Sequence, residues 1–190
     1  MDTKKTGRRV IWFLLLFFAS AYVVTSIHCG EPIRDVPANL VFRDGDIILL
    51  GSSTVRARFL KCIDGGAKWV HCGIAVAPNI IVHADPDYGV VRQTLDEYLT
   101  VNDVDCICQL RPYNGDGKNA ALFAQECAEK KMTFDNTFSY KNGEGLYCTE
   151  LVLLAWEAAG EEILLDVESG DRIMPSSLME TSRLYCVREL

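Results

Sequence analysis

The chain has 190 residues, with 19 Lys and Arg against 26 Asp and Glu, and a formal net charge of -7. That balance excludes the basic footprint of a general nucleic-acid binder, and the length suits one domain with a single core. Eight cysteines are many and three histidines few. No CxxC pair occurs, so most cysteines read as small core residues, with a disulfide open where the compartment allows, and no metal or organic cofactor is implied.

Lys4, Lys5, Arg8 and Arg9 precede an uncharged run from Val10 to Ile27 that is rich in Leu and Phe. This is the layout of an export signal or an N-terminal membrane anchor. Three fates compete. Ala19-Ser20-Ala21 fits a cleavage site, Cys29 sits where a lipidated cysteine would, and the run is nearly long enough to stay as an anchor. The expectation is an exported protein of the periplasm or cell envelope, with residues 1–29 outside the folded domain. Residues 30–39, with Pro32 and Pro37, read as a linker, and residues 40–190 as the domain.

In the domain, Arg43-Asp44-Gly45-Asp46 is a turn into a short buried strand, Ile47 to Leu50. Val55, Phe59, Cys62 and Ile63 recur at helical spacing, with Arg56, Arg58 and Lys61 between them. These three cations and Lys68 make the segment locally basic, which suits a solvated face or a rim that attracts carboxylates. Lys68 to Val76, Ile80 to Ala84 and Val90 to Gln93 are strands joined by tight turns, which suggests an antiparallel meander. Leu95 to Leu99 resembles a short helix and Val104 to Leu110 a further strand, on which Cys106 and Cys108 share a face. Ala120, Phe123, Ala124, Cys127 and Ala128 line one face of an amphipathic helix. After the polar and aromatic loop Phe134 to Tyr140 comes Gly143-Glu144-Gly145-Leu146-Tyr147-Cys148-Thr149-Glu150, then an apolar run to Ala159 and a stop at Gly160. Glu161 to Ser176 reads as irregular and Leu184 to Arg188 as a last strand. The class is α+β, one small antiparallel sheet packed against a buried, cysteine-bearing helix.

A cysteine at the start of a helix feels the positive end of the dipole, which favours the thiolate, the nucleophilic form. It needs a base within reach and a group to orient that base. Outside the export segment, His71 and His83 supply the imidazoles, and on an antiparallel hairpin they can fall side by side. Each alone is more often a satisfied polar residue; their convergence with Cys148 is what marks a site.

Gly45-Asp46-Ile47-Ile48, Trp69-Val70-His71-Cys72-Gly73-Ile74 and Tyr147-Cys148-Thr149-Glu150 together resemble the YiiX/YaeF-type permuted papain-like amidases. These are relatives of the NlpC-type cell-wall peptidases in which the histidine strands precede the cysteine helix. Agreement extends through Gly51-Ser52-Ser53, Phe134-Asp135 and Pro175-Ser176. The resemblance implies a circularly permuted papain-like fold, Cys148 as nucleophile and His71 as general base. The third residue falls on His83, where many of these relatives have Glu; Glu150 competes for that role, although its place suits a helix cap better. Asp46, Tyr147 and Glu150 are expected to line the substrate cleft, and the Cys148 backbone N–H to serve as an oxyanion donor.

The function so implied is thiol hydrolysis of an amide bond in a small peptide or other envelope substrate, without nucleic acid, and with membrane association through the N-terminal segment. Two rivals remain. One is a lipid-directed acyltransferase or lipase like the lecithin:retinol acyltransferase group, which usually carries Asn-Cys where this chain has Tyr147-Cys148. The other is a binding module that keeps the cleft without turnover.

Overall fold

The computed structural model describes residues 40–190. The expected export segment 1–29 and linker 30–39 lie outside the described residues. In chain order the elements are β1 (Ile47–Ser52), α1 (Val55–Ile63), β2 (His71–Ala77), β3 (Ile80–Asp85), β4 (Gly89–Thr94) and α2 (Leu95–Asn102). They continue with β5 (Val104–Pro112), α3 (Gly117–Glu129), α4 (Cys148–Ala158), α5 (Ser177–Glu180) and β6 (Leu184–Glu189).

The six strands form one antiparallel sheet in the order β4-β3-β2-β1-β5-β6. β2, β3 and β4 are the expected meander, because Pro78-Asn79 and Asp85-Pro86-Asp87-Tyr88 turn the chain back at once. β1 is buried along its whole length, as its unbroken apolar run requires of a central strand covered on both faces. Ile48 and Leu50 pack with Leu95, Tyr98 and Leu99 of α2. Residues opposite one another in an antiparallel pair share a face, and neighbours along the strand alternate. Leu49 and Cys72, which are paired, therefore look the other way, towards α4, which packs on β2 and β3 beside α3.

α2 begins with a capping box. The Thr94 hydroxyl accepts the Glu97 N–H at 3.3 Å, and Glu97 accepts the Thr94 N–H at 2.8 Å, satisfying two of the otherwise unpaired donors of the first turn. α4 is buried nearly all round, from Cys148 to Leu153 and again at Ala155 and Trp156. The short α5 was not legible in the apolar pattern, since four residues hold little more than one turn.

Helical spacing predicts α1 correctly, but its apolar stripe looks outward. Val55, Phe59, Cys62 and Ile63 are exposed, whereas Ala57 and Lys61 are buried. The basic segment is not one rim either. Arg56 lies 3.9 Å from Asp87, Arg58 donates to the Ser53 carbonyl, and Lys68 pairs with Glu189 at 2.5 Å.

Candidate active site

α4 starts at Cys148, with Tyr147 as its N-cap in extended conformation and no side-chain cap bond at that residue. The turn before it depends on Gly145. Its φ of +139° suits glycine, and a Cβ there would lie 2.5 Å from the Thr133 carbonyl oxygen. Leu146 bridges to Phe134, and the intervening loop is held by Asp135, whose carboxylate accepts from Thr137, Ser139 and Asn142. The cysteine is thus delivered by a braced loop to the N-terminus of a buried helix.

His71 opens β2, and His83 lies on β3. His71 Nε2 and His83 Nδ1 are 2.9 Å apart, with the rings edge to face. His83 Nε2 lies 2.7 Å from Gln93 Oε1. An amide oxygen only accepts, so the His83 Nε2–H donates to Gln93, and His83 Nδ1 is left to accept from the His71 Nε2–H. His71 Nδ1 then carries the lone pair, the tautomer a general base beside Cys148 requires. Gln93 thus sets the proton positions of the whole relay. It was missed in the sequence because nothing local distinguishes it. The pairing of His83 with Val91 and of Ile81 with Gln93 puts Gln93 on the face of His83.

Burial, then the charge on His71, push His83 down to about 3, against a smaller opposing pull from Gln93. His83 therefore stays neutral at ordinary pH and acts as an acceptor. Because its folded pKa is depressed, the unfolded chain takes up this proton first as pH falls from about 6.5 to about 3, and stability falls across that window. The expected outcome is a urea midpoint that drops through this range, with a smaller drop in His83→Gln measured under the same conditions.

The Cys148 thiol is held well below its usual range. The Cys72 thiol donates to it, the His71 imidazole lies alongside, and the Cys72 backbone N–H points at it, together outweighing burial. Cys72 itself is pushed up by burial and by Cys148. Both sulfurs lie 3.9 Å from the Thr149 hydroxyl. Nothing in the sequence around Cys72 separates it from a core residue; its role follows from β2 turning it towards the start of α4.

Tyr98 backs the relay, its ring 4.7 Å from His83 and 5.8 Å from His71, with a buried hydroxyl that makes no hydrogen bond. Gly73 leaves room for it. A Cβ there would meet Ile81 Cγ2 at 2.7 Å and the Tyr98 hydroxyl at 3.1 Å. Gly73→Ala is expected to destabilise by about 1–3 kcal/mol through overpacking and to lower turnover with it, checked by urea unfolding beside a rate assay.

A cleft of about 460 Å³ reaches His71 and Cys148. Its walls are largely apolar, with Phe59, Val101, Phe134, Phe138, Ile173 and Met174 contributing. Tyr147 lines it too, its hydroxyl accepting the Ile173 N–H at 3.3 Å. Asp46 and Glu150 do not line it. Asp46 precedes β1 at the end away from Leu50, the partner of His71. It is buried in a bidentate pair with Arg111, at 2.6 and 2.8 Å, and accepts from Gln109 at 2.7 Å. Glu150 accepts the Lys141 N–H at 2.6 Å, and its other carboxylate oxygen is buried without a hydrogen bond. It braces the loop and the helix start and stands outside the imidazole relay.

The architecture is therefore α+β with a cysteine at a helix start facing an ordered pair of imidazoles. No family model matches the chain, and no curated protein does. Among solved structures, the metalloprotein YiiX from Escherichia coli O157:H7 is similar, with a TM-score of 0.62 over 78% of this chain and 97% of that one, at 14% identity. At that identity the likeness carries the fold, and in fold the YiiX-type resemblance of the motifs holds.

Proposed function

We propose that the chain is a thiol hydrolase of permuted papain-like type that cleaves an amide bond through an acyl-enzyme on Cys148. The observation that carries this reading is the continuous relay Gln93–His83–His71 ending beside a cysteine whose thiolate is favoured. Cys148 gives its proton to His71 and attacks the carbonyl carbon as the thiolate. As the tetrahedral intermediate collapses, His71 returns that proton to the leaving amine. Water then adds to the thioester with His71 as base, releasing the acid and restoring the thiol. The helix-start N–H of Cys148 is the natural donor to the developing oxyanion. The direct test is incubation with a panel of peptidoglycan fragments and acyl-lipids, read by mass spectrometry. A covalent acyl adduct on Cys148 names the donor, and no adduct from any member, with Cys148 unreactive towards thiol probes, would favour the binding module.

A second reading, acyl transfer from or to a lipid, is favoured by one observation, the apolar lining of the cleft. An acyl chain suits such walls better than a charged stem peptide does. The thioester is common to both readings, so the acceptor, water or an alcohol or amine, separates them.

YiiX is described as a metalloprotein. In this chain, among the described residues, the group with ligating spacing is Cys108, Cys186 and Glu189, which excludes Cys148 and His71.

Export is part of the proposal. Among the described residues no helix is long and apolar enough to cross a membrane, so attachment would rest on the Val10 to Ile27 run. Deleting residues 1–30 is expected to give a soluble, folded protein with the thiol reactivity of the whole chain, checked by gel filtration and alkylation rate. Aggregation of the truncated protein would make that segment part of the fold.

A further inference from the structure

At the same edge of the sheet as His71, but on the far side of β1, Cys108 has two further sulfurs beside its own. Cys108 Sγ lies 3.5 Å from Cys186 Sγ and 3.8 Å from Met179 Sδ, and a Glu189 oxygen lies within 4.8 Å of both thiols. The strand pattern builds this group. Cys108 pairs with Glu189, and Leu110 with Cys186, across an irregularity between Gln109 and Leu110. In a regular strand, residues 186 and 189 would point to opposite faces; the extra residue in β6 brings both onto one face. α5 then supplies Met179 to the same spot. A slip of one residue would take this set apart.

The spacing has a chemical meaning. Donors bonded at about 2.3 Å to one three- or four-coordinate ion sit about 3.8–4.0 Å from each other, close to the distances seen. A disulfide fits less well, because Cys186 is diagonal to Cys108. Diagonal neighbours have Cα atoms about 7–8 Å apart, at or beyond the limit of about 7 Å for a bridge. Lys68, paired with Glu189 at 2.5 Å, places a cation beside the group. It suits a site that becomes anionic when both thiols lose their protons, and it keeps the carboxylate engaged elsewhere.

The geometry points to a binding site for a soft monovalent cation, Cu(I), held by Cys108 Sγ, Cys186 Sγ and Met179 Sδ. The two thiolates alone would serve zinc as well as Cu(I), but zinc completes its shell with imidazole or carboxylate, and a thioether as third donor turns the set towards Cu(I). Binding releases the two thiol protons and leaves the copper oxidation state unchanged. Leu49 stands between Cys108 and Cys72 in the sheet, so the site is separate from the nucleophile. Its effect on the fold is to clip β6 and α5 to β5.

The test is an anaerobic titration of the reduced 190-residue chain with Cu(I) against a chromogenic Cu(I) chelator. One equivalent is expected to bind, with a rise in melting temperature. Cys186→Ser is expected to weaken binding at least about a hundredfold, and Met179→Leu about tenfold, by loss of direct ligands. Cys186 is exposed and the Met179 change conserves volume, so both variants should fold, as circular dichroism will verify. Glu189→Gln, and a Cys72→Ala, Cys148→Ser double variant, should bind as the unaltered chain does. Stoichiometric binding that survives both Cys186→Ser and Met179→Leu, or that is lost in the Cys72, Cys148 double variant, would overturn the assignment. So would tighter binding of Zn(II) that depends on Glu189, or isolation of the chain with Cys108 and Cys186 already joined in one peptide pair.

Discussion

Cys148→Ser is expected to retain the fold and lose turnover by at least about a thousandfold. The thiol is a nucleophile because Cys72 and His71 stabilise its ionised form, and a hydroxyl in the same place is far harder to ionise. Oxygen and sulfur differ little in volume, so the buried helix start should tolerate the change. The same physics gives a readout that needs no substrate. At neutral pH Cys148 should be alkylated faster than any other cysteine, and its rate should hold as pH falls until the depressed thiol pKa is reached. Cys108 and Cys127 should lag, because burial pushes their thiols up, Cys127 to about 11. Peptide mapping after a short pulse of iodoacetamide measures this. Faster labelling of Cys62, which is exposed, with Cys148 untouched would remove Cys148 from the nucleophile's role.

The parts of this molecule that were legible in the sequence are those fixed by local periodicity. The β2–β3–β4 meander, the amphipathic α3 and the buried α4 each follow from the spacing of apolar residues and from the turns that bound them. The pairing of His71 with His83 is legible for the same reason, since a tight turn leaves a hairpin few registers. What escaped depends on longer-range geometry. Gln93 joins the relay because β4 pairs with β3 in one register, and a shift of one residue would turn it to the opposite face. Asp46 looked like a cleft residue because it sits in a motif beside a strand; its true partner, Arg111, is 65 residues away. Glu150 stands next to the nucleophile in sequence, yet its carboxylate points back to the loop at Lys141. The α1 stripe carries the same lesson, because spacing states that a helix forms and not which side the rest of the chain will cover. The sulfur group at Cys108 needed a bulge, a feature no alternation pattern displays.

The relay itself makes the most detailed prediction. His71→Ala removes the base and is expected to cost turnover at least about a thousandfold, because the leaving amine then departs without its proton. His83→Ala should cost less. It removes an acceptor worth about 1–3 kcal/mol, or roughly 5- to 150-fold in rate, while nucleophile and base still react. His83→Glu should recover part of that loss, since a carboxylate accepts the same His71 Nε2 proton. Changing His71 and His83 together should cost little more than His71→Ala alone, as groups that act as one unit are not additive. Gln93→Leu separates orientation from packing. Without the amide oxygen, nothing holds the His83 proton on Nε2, and its move to Nδ1 would set two N–H groups against each other at the 2.9 Å contact. His71 must then carry its proton on the nitrogen facing Cys148, where it cannot act as a base. The expected signature is a fall in kcat with KM unchanged, in a protein that still unfolds cooperatively, at a midpoint lowered because a buried His83 nitrogen is left without its partner. A Gln93→Leu variant with undiminished kcat would show that His71 keeps its tautomer without help, and would return His83 and Gln93 to the core as packing residues.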